Sequence, residues 1–180
     1  MDVVGLPGER VRLVPSEPGQ HLDNALRWFN DPETTARLAI FNGLTRQQAE
    51  EFFRKVGSPR DKDLHWAILA GDLGHVGFIA LHQIDGAMRS AAGGLIIGER
   101  AAWGKGFATD AVRVRTKFAF EQLGLHRIDG HTFNPAMRKV YEKAGYKLEG
   151  VARERLWRDG RWHDTYLYSI LESDYFSSRG

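Results

Sequence analysis

The chain contains no cysteine, which excludes a disulfide framework, a thiolate nucleophile and any zinc site of the finger type. Its seven histidines form no His-x-x-x-His pair, so no bound metal is expected. Long hydrophobic runs are missing too. Nothing approaches the ~20 apolar residues of a membrane span, and residues 1–8 lack the apolar core of a signal peptide. Neither charge sign dominates: 25 Lys and Arg stand against 23 Asp and Glu, a formal net charge of +2. Spread evenly as they are, these charges call for neither a nucleic-acid nor a membrane partner. No internal repeat, low-complexity tract or interdomain linker is visible. What is present, 42% hydrophobic and 27% charged residues in a chain of 180, is the composition of one globular domain with a sizeable core. A cytoplasmic location is the default expectation.

Residues 94–123 carry the most information. They read Gly94-Leu95-Ile96-Ile97-Gly98, then Glu99-Arg100-Ala101-Ala102, then Trp103-Gly104-Lys105-Gly106-Phe107-Ala108-Thr109, then an amphipathic run to Leu123. This order predicts a buried strand, a glycine-spaced loop and a helix start. Glycines on both sides of Lys105 let the backbone approach a ligand and turn N–H groups toward it. The positive end of the following helix adds to the attraction for phosphate. A magnesium-nucleotide P-loop requires Ser or Thr after its lysine, and here Gly106 follows. A dinucleotide fingerprint requires a third glycine where this chain has Thr109. Taken alone, the segment could also be a plain glycine turn before a helix. Its pattern resembles the pyrophosphate loop of the GCN5-related N-acetyltransferases, Gln/Arg/Trp-Gly-x-Gly-x-Ala/Gly, matched by Trp103-Gly104-Lys105-Gly106-Phe107-Ala108.

Periodicity and punctuation predict the remaining elements. Residues 11–14 form a strand stopped by Pro15 and Pro18, and residues 22–29 form a helix with apolar positions Leu22, Ala25, Leu26 and Phe29. Asn30-Asp31-Pro32 caps a second helix, which Phe41-Asn42-Gly43 breaks. Thr45 and Gln48 make a capping box for a third, running to about Val56. Strands follow at 66–69, 75–81 and 91–97, with turns at Ala70-Gly71-Asp72 and Asp85-Gly86. A helix at 108–123 has Arg115 and Gln122 interrupting its apolar face, and Gly124 ends it. A strand at 127–133, a helix at 136–144 ended by Gly145, and strands at about 146–157 and 161–171 complete the domain. Asp159-Gly160 is the strongest hairpin signal. Residues 177–180 read as a frayed tail. Helices first, then a meander, then alternating strand and helix describe a mixed α/β (α+β) domain.

The resemblance extends to a second segment, Asn134-Pro135-Ala136-Met137-Arg138-Lys139-Val140-Tyr141-Glu142-Lys143-Ala144-Gly145-Tyr146. It looks like the acetyltransferase signature Asn-x-x-Ser-x-x-Val-Leu/Tyr-Glu-Lys-x-Gly-Phe/Tyr. The opening Trp28-Phe29-Asn30-Asp31-Pro32-Glu33 and the closing Asp159-Gly160-Arg161-Trp162-His163-Asp164 are similar to the ribosomal-protein alanine acetyltransferase branch. The family implies one domain over residues 1–180 with a core of about 9–174: a mixed central sheet whose strands splay around an acetyl-CoA cleft, flanked by helices. The pyrophosphate falls to Trp103, Gly104, Lys105, Gly106, Phe107, Ala108 and Thr109. The pantetheine arm inserts beside Ile96, Ile97 and Gly98, with Asn134, Met137 and Lys143 also against the coenzyme. In the branch, the early helices and the loop near Phe41 wall the acceptor site.

Amine acetylation needs a group that accepts a proton from nitrogen and one that returns a proton to sulfur. The resemblance makes Tyr141 the acid, with a core tyrosine as the plain alternative. Met137 stands where relatives often have serine, and methionine has no proton to give. Asp129 aligns with a glutamate proposed as base in the branch. His131 and Glu99 are further candidates, each with a purely structural alternative, and the position of another family glutamate holds Leu156. An α-amine of pKa ~7.7–8.0 costs about 1–1.4 kcal/mol to deprotonate at pH 7, whereas a lysine at ~10.4 costs about 4.6. The arithmetic favours peptide N-termini or amino-sugar amines over lysine or polyamines, and the branch resemblance implies a peptide N-terminus. Amino sugars, aminoglycosides and polyamines are the alternatives, and a non-catalytic acyl-CoA-binding module is a third. Arg153, Arg155, Arg158 and Arg161, interleaved with Trp157 and Trp162, either hold an anionic acceptor or form a solvated hairpin face. The enzyme is expected to be a monomer or homodimer.

Overall fold

A computed structural model describes residues 5–39, 43–56 and 63–178. Eight strands form one mixed sheet: β1 (Leu6–Pro7), β2 (Arg12–Pro15), β3 (Leu64–Leu69), β4 (His75–Asp85), β5 (Ser90–Ile97), β6 (Arg127–Thr132), β7 (Lys147–Arg158) and β8 (Arg161–Leu171). Their order across the sheet is β1-β2-β3-β4-β5-β6-β8-β7. Every neighbouring pair is antiparallel except β5 and β6.

That exception positions the site. The parallel pairing joins only Ser90 to Arg127, Ala91 to Ile128 and Ala92 to Asp129. Beyond it β5 continues to Ile97 and β6 to Thr132 without meeting. The two strands splay, as the family resemblance implied, and leave two strand edges facing each other across a wedge.

Helices cover both faces. Helix α4 (Phe107–Glu121) and α5 (Pro135–Lys143) pack on one face, where Phe118 meets Trp66 with ring centres 5.5 Å apart. On the other lie α1 (Pro18–Phe29), the single turn α2 (Pro32–Thr35) and α3 (Arg46–Val56). There Phe78 of β4 meets Trp28 at 5.8 Å and Phe53 at 6.1 Å.

Local signals act as the sequence predicts at most boundaries. Gln48 Oε1 accepts from Thr45 N at 2.9 Å, and Gln48 N donates to Thr45 Oγ1 at 3.2 Å, a reciprocal capping box. Asn134 Oδ1 caps α5 by accepting from Ala136 N at 2.9 Å. Gly124 and Gly145, with φ of 62° and 89°, end α4 and α5. Asp159 and Gly160, with φ of 51° and 75°, make the primed turn of the β7–β8 hairpin.

Two expectations are corrected and one helix is added. Helix α1 begins at Pro18, because proline at the first helical position suits a helix start as well as it stops a strand. Helix α2 lasts one turn. Asp31 Oδ2 caps it through Thr34 N at 3.0 Å, and the Asn30 side chain then holds the returning chain by bonding the Leu44 N–H and carbonyl at 2.9 and 2.8 Å. Of the expected break, Phe41 and Asn42 lie outside the described residues. So does the proposed wall at Phe41. Finally, a helix not expected from the sequence, α6 (Glu172–Ser177), precedes the expected tail and buries Tyr175 against Phe120, ring centres 5.3 Å apart.

Candidate active site

The wedge between β5 and β6 opens into a cavity of about 760 Å³ that runs from the glycine loop to the face carrying α2. At its loop end, Trp103 Nε1 donates to the Ile97 carbonyl at 2.8 Å and so fastens the loop to the end of β5. Arg37 lies over the indole, 5.2 Å from the ring centre. Gly104 and Gly106 have φ of 75° and 83°, a region open to glycine and strained for other residues. A Cβ on Gly104 would meet nothing within 4 Å, and one on Gly106 only Arg10 Nη1 at 3.6 Å. Gly106 is the N-cap of α4 and offers no side-chain cap, so N–H groups of the first turn have no helical acceptor. An open glycine cradle below unsatisfied N–H groups fits a diphosphate. Gly104, Gly106, Phe107, Ala108 and Thr109 line the cavity. Lys105 does not; it contributes its carbonyl, which accepts from Arg10 Nη1 at 3.0 Å.

In the wedge itself Ile96 and Ile97 line the wall, and Asn134, Met137 and Lys143 line it from α5 and its cap. Gly98 and Glu99 do not line it. Their N–H groups donate to the Val76 carbonyl at 2.9 and 3.0 Å, so the chain end stays tied to β4. A Cβ on Gly98 would lie 2.0 Å from Trp28 Cδ2, so this glycine makes room for α1. The Glu99 carboxylate pairs with Arg27 at 3.0 Å and accepts from Ala101 N at 3.3 Å.

Tyr141 stands on the α5 side of the gap. It is buried, with ring centres 5.1 Å from Tyr146 and 5.3 Å from Tyr168. Gly130 of β6 lies beneath it: a Cβ there would be 2.5 Å from Tyr141 Cζ and 2.6 Å from its hydroxyl oxygen. The missing side chain lets the phenol lie on the strand at the cavity wall. Burial pushes its pKa up to about 12, with the Arg115 guanidinium pulling the other way and Tyr146 adding to the rise. The phenol therefore keeps its proton at neutral pH.

Arg115 was expected to interrupt the apolar face of α4; it is the largest fully buried side chain among the described residues. Gly93 makes the space, since a Cβ there would lie 2.6 Å from both terminal nitrogens. Nη1 donates to the carbonyls of Ala80 at 3.3 Å and Gly94 at 3.4 Å, and Nη2 donates to the Tyr146 hydroxyl at 3.0 Å. Nε has no partner among the described residues. A buried guanidinium with no carboxylate is costly, and its positive field falls on the wedge just past the last paired residues.

Asp129 is brought to the root of the splay and then turned away. Arg127 Nε donates to its carboxylate at 2.8 Å, while Arg127 Nη1 bonds Glu149 at 2.9 Å. Asp129 is not in the cavity wall, whereas His131, two residues on, is. Residues 127 and 129 share a strand face, so this competition was visible in the sequence. Sequence reasoning missed Arg37, Leu38, His82 and Gln83, which line the acceptor half beside Arg155, one of the hairpin arginines expected to face either an acceptor or solvent. They sit on a short turn, a strand and a distant hairpin, and no spacing rule connects them. For metal binding, donor atoms of Asp63, His65 and His82 fall within 4.8 Å of one another. The Asp63 carboxylate is already engaged there by His82 Nδ1 and by Gln83 N, at 2.9 and 2.7 Å.

Comparison with known proteins bears on this geometry. Residues 10–147 match the family model described as an acetyltransferase (GNAT) domain. A probable N-acetyltransferase of Bacillus subtilis is 37% identical over 119 residues, 64% of this chain and 65% of that protein. The spermidine N(1)-acetyltransferase of Vibrio cholerae is 33% identical over 154 residues, 83% of this chain and 81% of that one. A Bacillus subtilis protein described as a putative ribosomal N-acetyltransferase is 37% identical over 101 residues, 55% of each. Among solved structures, the Vibrio cholerae spermidine N-acetyltransferase in complex with CoA and spermine superposes with a TM-score of 0.84 at 25% identity. That match covers 93% of this chain and 98% of the other.

Proposed function

The chain belongs to the GNAT acetyltransferase family, and from that premise we propose that it transfers the acetyl group of acetyl-CoA to the α-amine of a peptide N-terminus. The observation that carries the choice of acceptor is the charge of the cavity wall. Arg37 and Arg155 line its acceptor half with His82 and His131, and no Asp or Glu does among the described lining residues. A polyamine brings several positive charges. Each like charge at ~6 Å and an effective dielectric of ~20 is opposed by about 3 kcal/mol. A peptide brings one amine and a chain of neutral amides, and its amine costs only about 1–1.4 kcal/mol to deprotonate at pH 7.

Acetyl-CoA supplies the activated acyl group when bound. The glycine loop and the first turn of α4 hold its diphosphate, with Lys143 nearby for the remaining phosphate charge. The β5 edge beyond Ala92 receives the pantetheine arm in the wedge. Tyr141 gives its hydroxyl proton to the departing sulfur. With its pKa pushed up to about 12 against ~8.5 for a thiol, complete transfer is uphill by about 4–5 kcal/mol on solution values. A thiolate leaving inside a water-poor wedge is itself more basic, which narrows the gap; the pull of Arg115 is already contained in the phenol's value.

The test is thiol release from acetyl-CoA with peptides bearing a free N-terminus, with the same peptides N-terminally blocked, and with spermidine. Peptides with a free N-terminus should be turned over at least tenfold faster than spermidine, and blocked ones not at all. Equal or faster turnover of spermidine would overturn the assignment.

A further inference from the structure

We propose that His82 is the general base of acetyl transfer and that Asp63 orients it. The proposal rests on the reading of the cleft as an amine acetyltransferase site and supplies a proton acceptor for it. Of the candidates the sequence suggested, Asp129 is held by Arg127 and Glu99 by Arg27 outside the cavity, while His131 lines the cavity but has no carboxylate partner among the described residues to set its tautomer.

His82 is on β4 opposite Ala92, the last residue of β5 paired with β6. Its ring therefore lies beside the point where the wedge begins, on the face away from α4. The neighbouring position of β5 is Gly94, where a Cβ would come 2.8 Å from His82 Nε2. The glycine leaves this nitrogen lying over bare strand backbone at the cavity wall. On the other side of the ring, Nδ1 stands 2.9 Å from Asp63 Oδ2. A carboxylate accepts only, so the proton belongs on Nδ1 and the lone pair on Nε2. Nε2 has no protein partner among the described residues. Asp63 is itself fixed, its other oxygen accepting from Gln83 N at 2.7 Å. The arrangement is a base whose tautomer and direction are set by a third group, the logic that generalises from hydrolase triads. Tyr141 faces the same cavity from the α5 side, so acid and base approach the wedge from opposite faces of the sheet.

The proton balance closes. An acceptor arriving as an ammonium loses one proton to His82 Nε2, which passes it to solvent. The free amine then bonds to the thioester carbon, the carbon–sulfur bond breaks, and Tyr141 protonates the sulfur. The second nitrogen proton leaves through Nε2 and replaces the one Tyr141 gave, directly or through water. One proton is released per turnover. Among the described residues, the charged or titratable groups facing the imidazole are Asp63 and His65, with ring centres of His65 and His82 5.1 Å apart, and His131, Arg37 and Arg155 across the cavity.

The experiment is a pH–rate profile of the full chain and of His82→Gln and Asp63→Asn, with saturating acetyl-CoA and an accepted amine. His82→Gln should lower kcat/KM for the amine about 10²–10³-fold at pH 7, with KM for acetyl-CoA unchanged. The deficit should shrink as pH rises toward the amine's own pKa. It should shrink equally at pH 7 with an acceptor of low pKa, such as a hydrazine. Asp63→Asn should show a smaller loss, about tenfold, with the same rescue. Should His82→Gln not fold, the Asp63→Asn profile and its rescue carry the test. A pH-independent loss without rescue, activity within threefold of wild type, or inactivation of wild type by a chelator would each overturn the proposal. If wild type acetylates no amine at all, the functional reading fails first and separately.

Discussion

Gly130→Ala offers a sharp test because it adds one methyl group against the residue assigned the proton. The new Cβ would lie 2.5 Å from Tyr141 Cζ, 2.6 Å from its hydroxyl oxygen and 2.7 Å from Cε1, where ordinary contact begins near 3.4 Å. The ring must retreat by about 0.9 Å, yet it is packed between Tyr146 and Tyr168. Gly130 is not among the residues with positive φ, so alanine meets no backbone strain, and reduced unfolded-state entropy returns about 0.4–1 kcal/mol. Against that stands an overpacking cost of about 1–3 kcal/mol. The net loss, up to about 2.6 kcal/mol, should lower Tm by up to roughly 10 °C for a chain of this size. Turnover should suffer much more, because a ~1 Å misplacement of a reacting group costs about 10²-fold. Gly150→Ala, where a Cβ would meet nothing within 4 Å, is the matched control. Thermal melts and kcat on the three proteins complete the assay. A Gly130→Ala protein with the expected Tm and wild-type kcat would refute the assignment of Tyr141 to the chemistry.

Two further outcomes are expected. Gly106→Val should weaken acetyl-CoA binding at least tenfold by calorimetry, because its φ of 83° strains a β-branched residue and its side chain would project into the cradle rather than against protein. Unchanged affinity in a folded variant would remove the loop from the site. Mild acid should destabilise the fold through His75, which burial, His21 and Arg27 hold at a pKa of about 4 against an ordinary 6.5. A depressed pKa stabilises the fold above 6.5, and that contribution is lost as pH falls from there to about 4. It is worth up to about 3 kcal/mol by linkage and less for a ring partly reached by water. Urea unfolding at pH 7 and pH 4.5 should show the loss in wild type and a flatter response in His75→Phe.

The helix caps, the hairpin turn and the glycine loop were legible because each rests on a local rule that residues a few positions apart can satisfy. What escaped the sequence lies in pairs of residues far apart in the chain, one of them usually glycine. Arg115 reads as a break in an apolar stripe until Gly93, 22 positions earlier, is seen to leave it a berth. Gly98 matched a coenzyme-binding motif, but the contact that requires a glycine there is Trp28. Gly130 under Tyr141 and Gly94 under His82 follow the same pattern. The proposed base is hidden for a different reason. The family position of Asp129 says nothing of Arg127, which engages it from the same strand face, and Asp63 meets His82 only through the β3–β4 pairing.

Replacement of Tyr141 by phenylalanine is the most direct test that acetyl transfer occurs in the wedge with this phenol as acid. The ring and its stacking on Tyr168 are kept, and the hydroxyl has no protein hydrogen bond among the described residues to lose, so Tm should move little. Met137 has no proton to offer in its place. With acetyl-CoA and an accepted peptide, kcat should fall roughly 10²–10⁴-fold while KM for acetyl-CoA stays within about twofold. Turnover within a few-fold of wild type in a folded Tyr141→Phe protein would contradict the assignment.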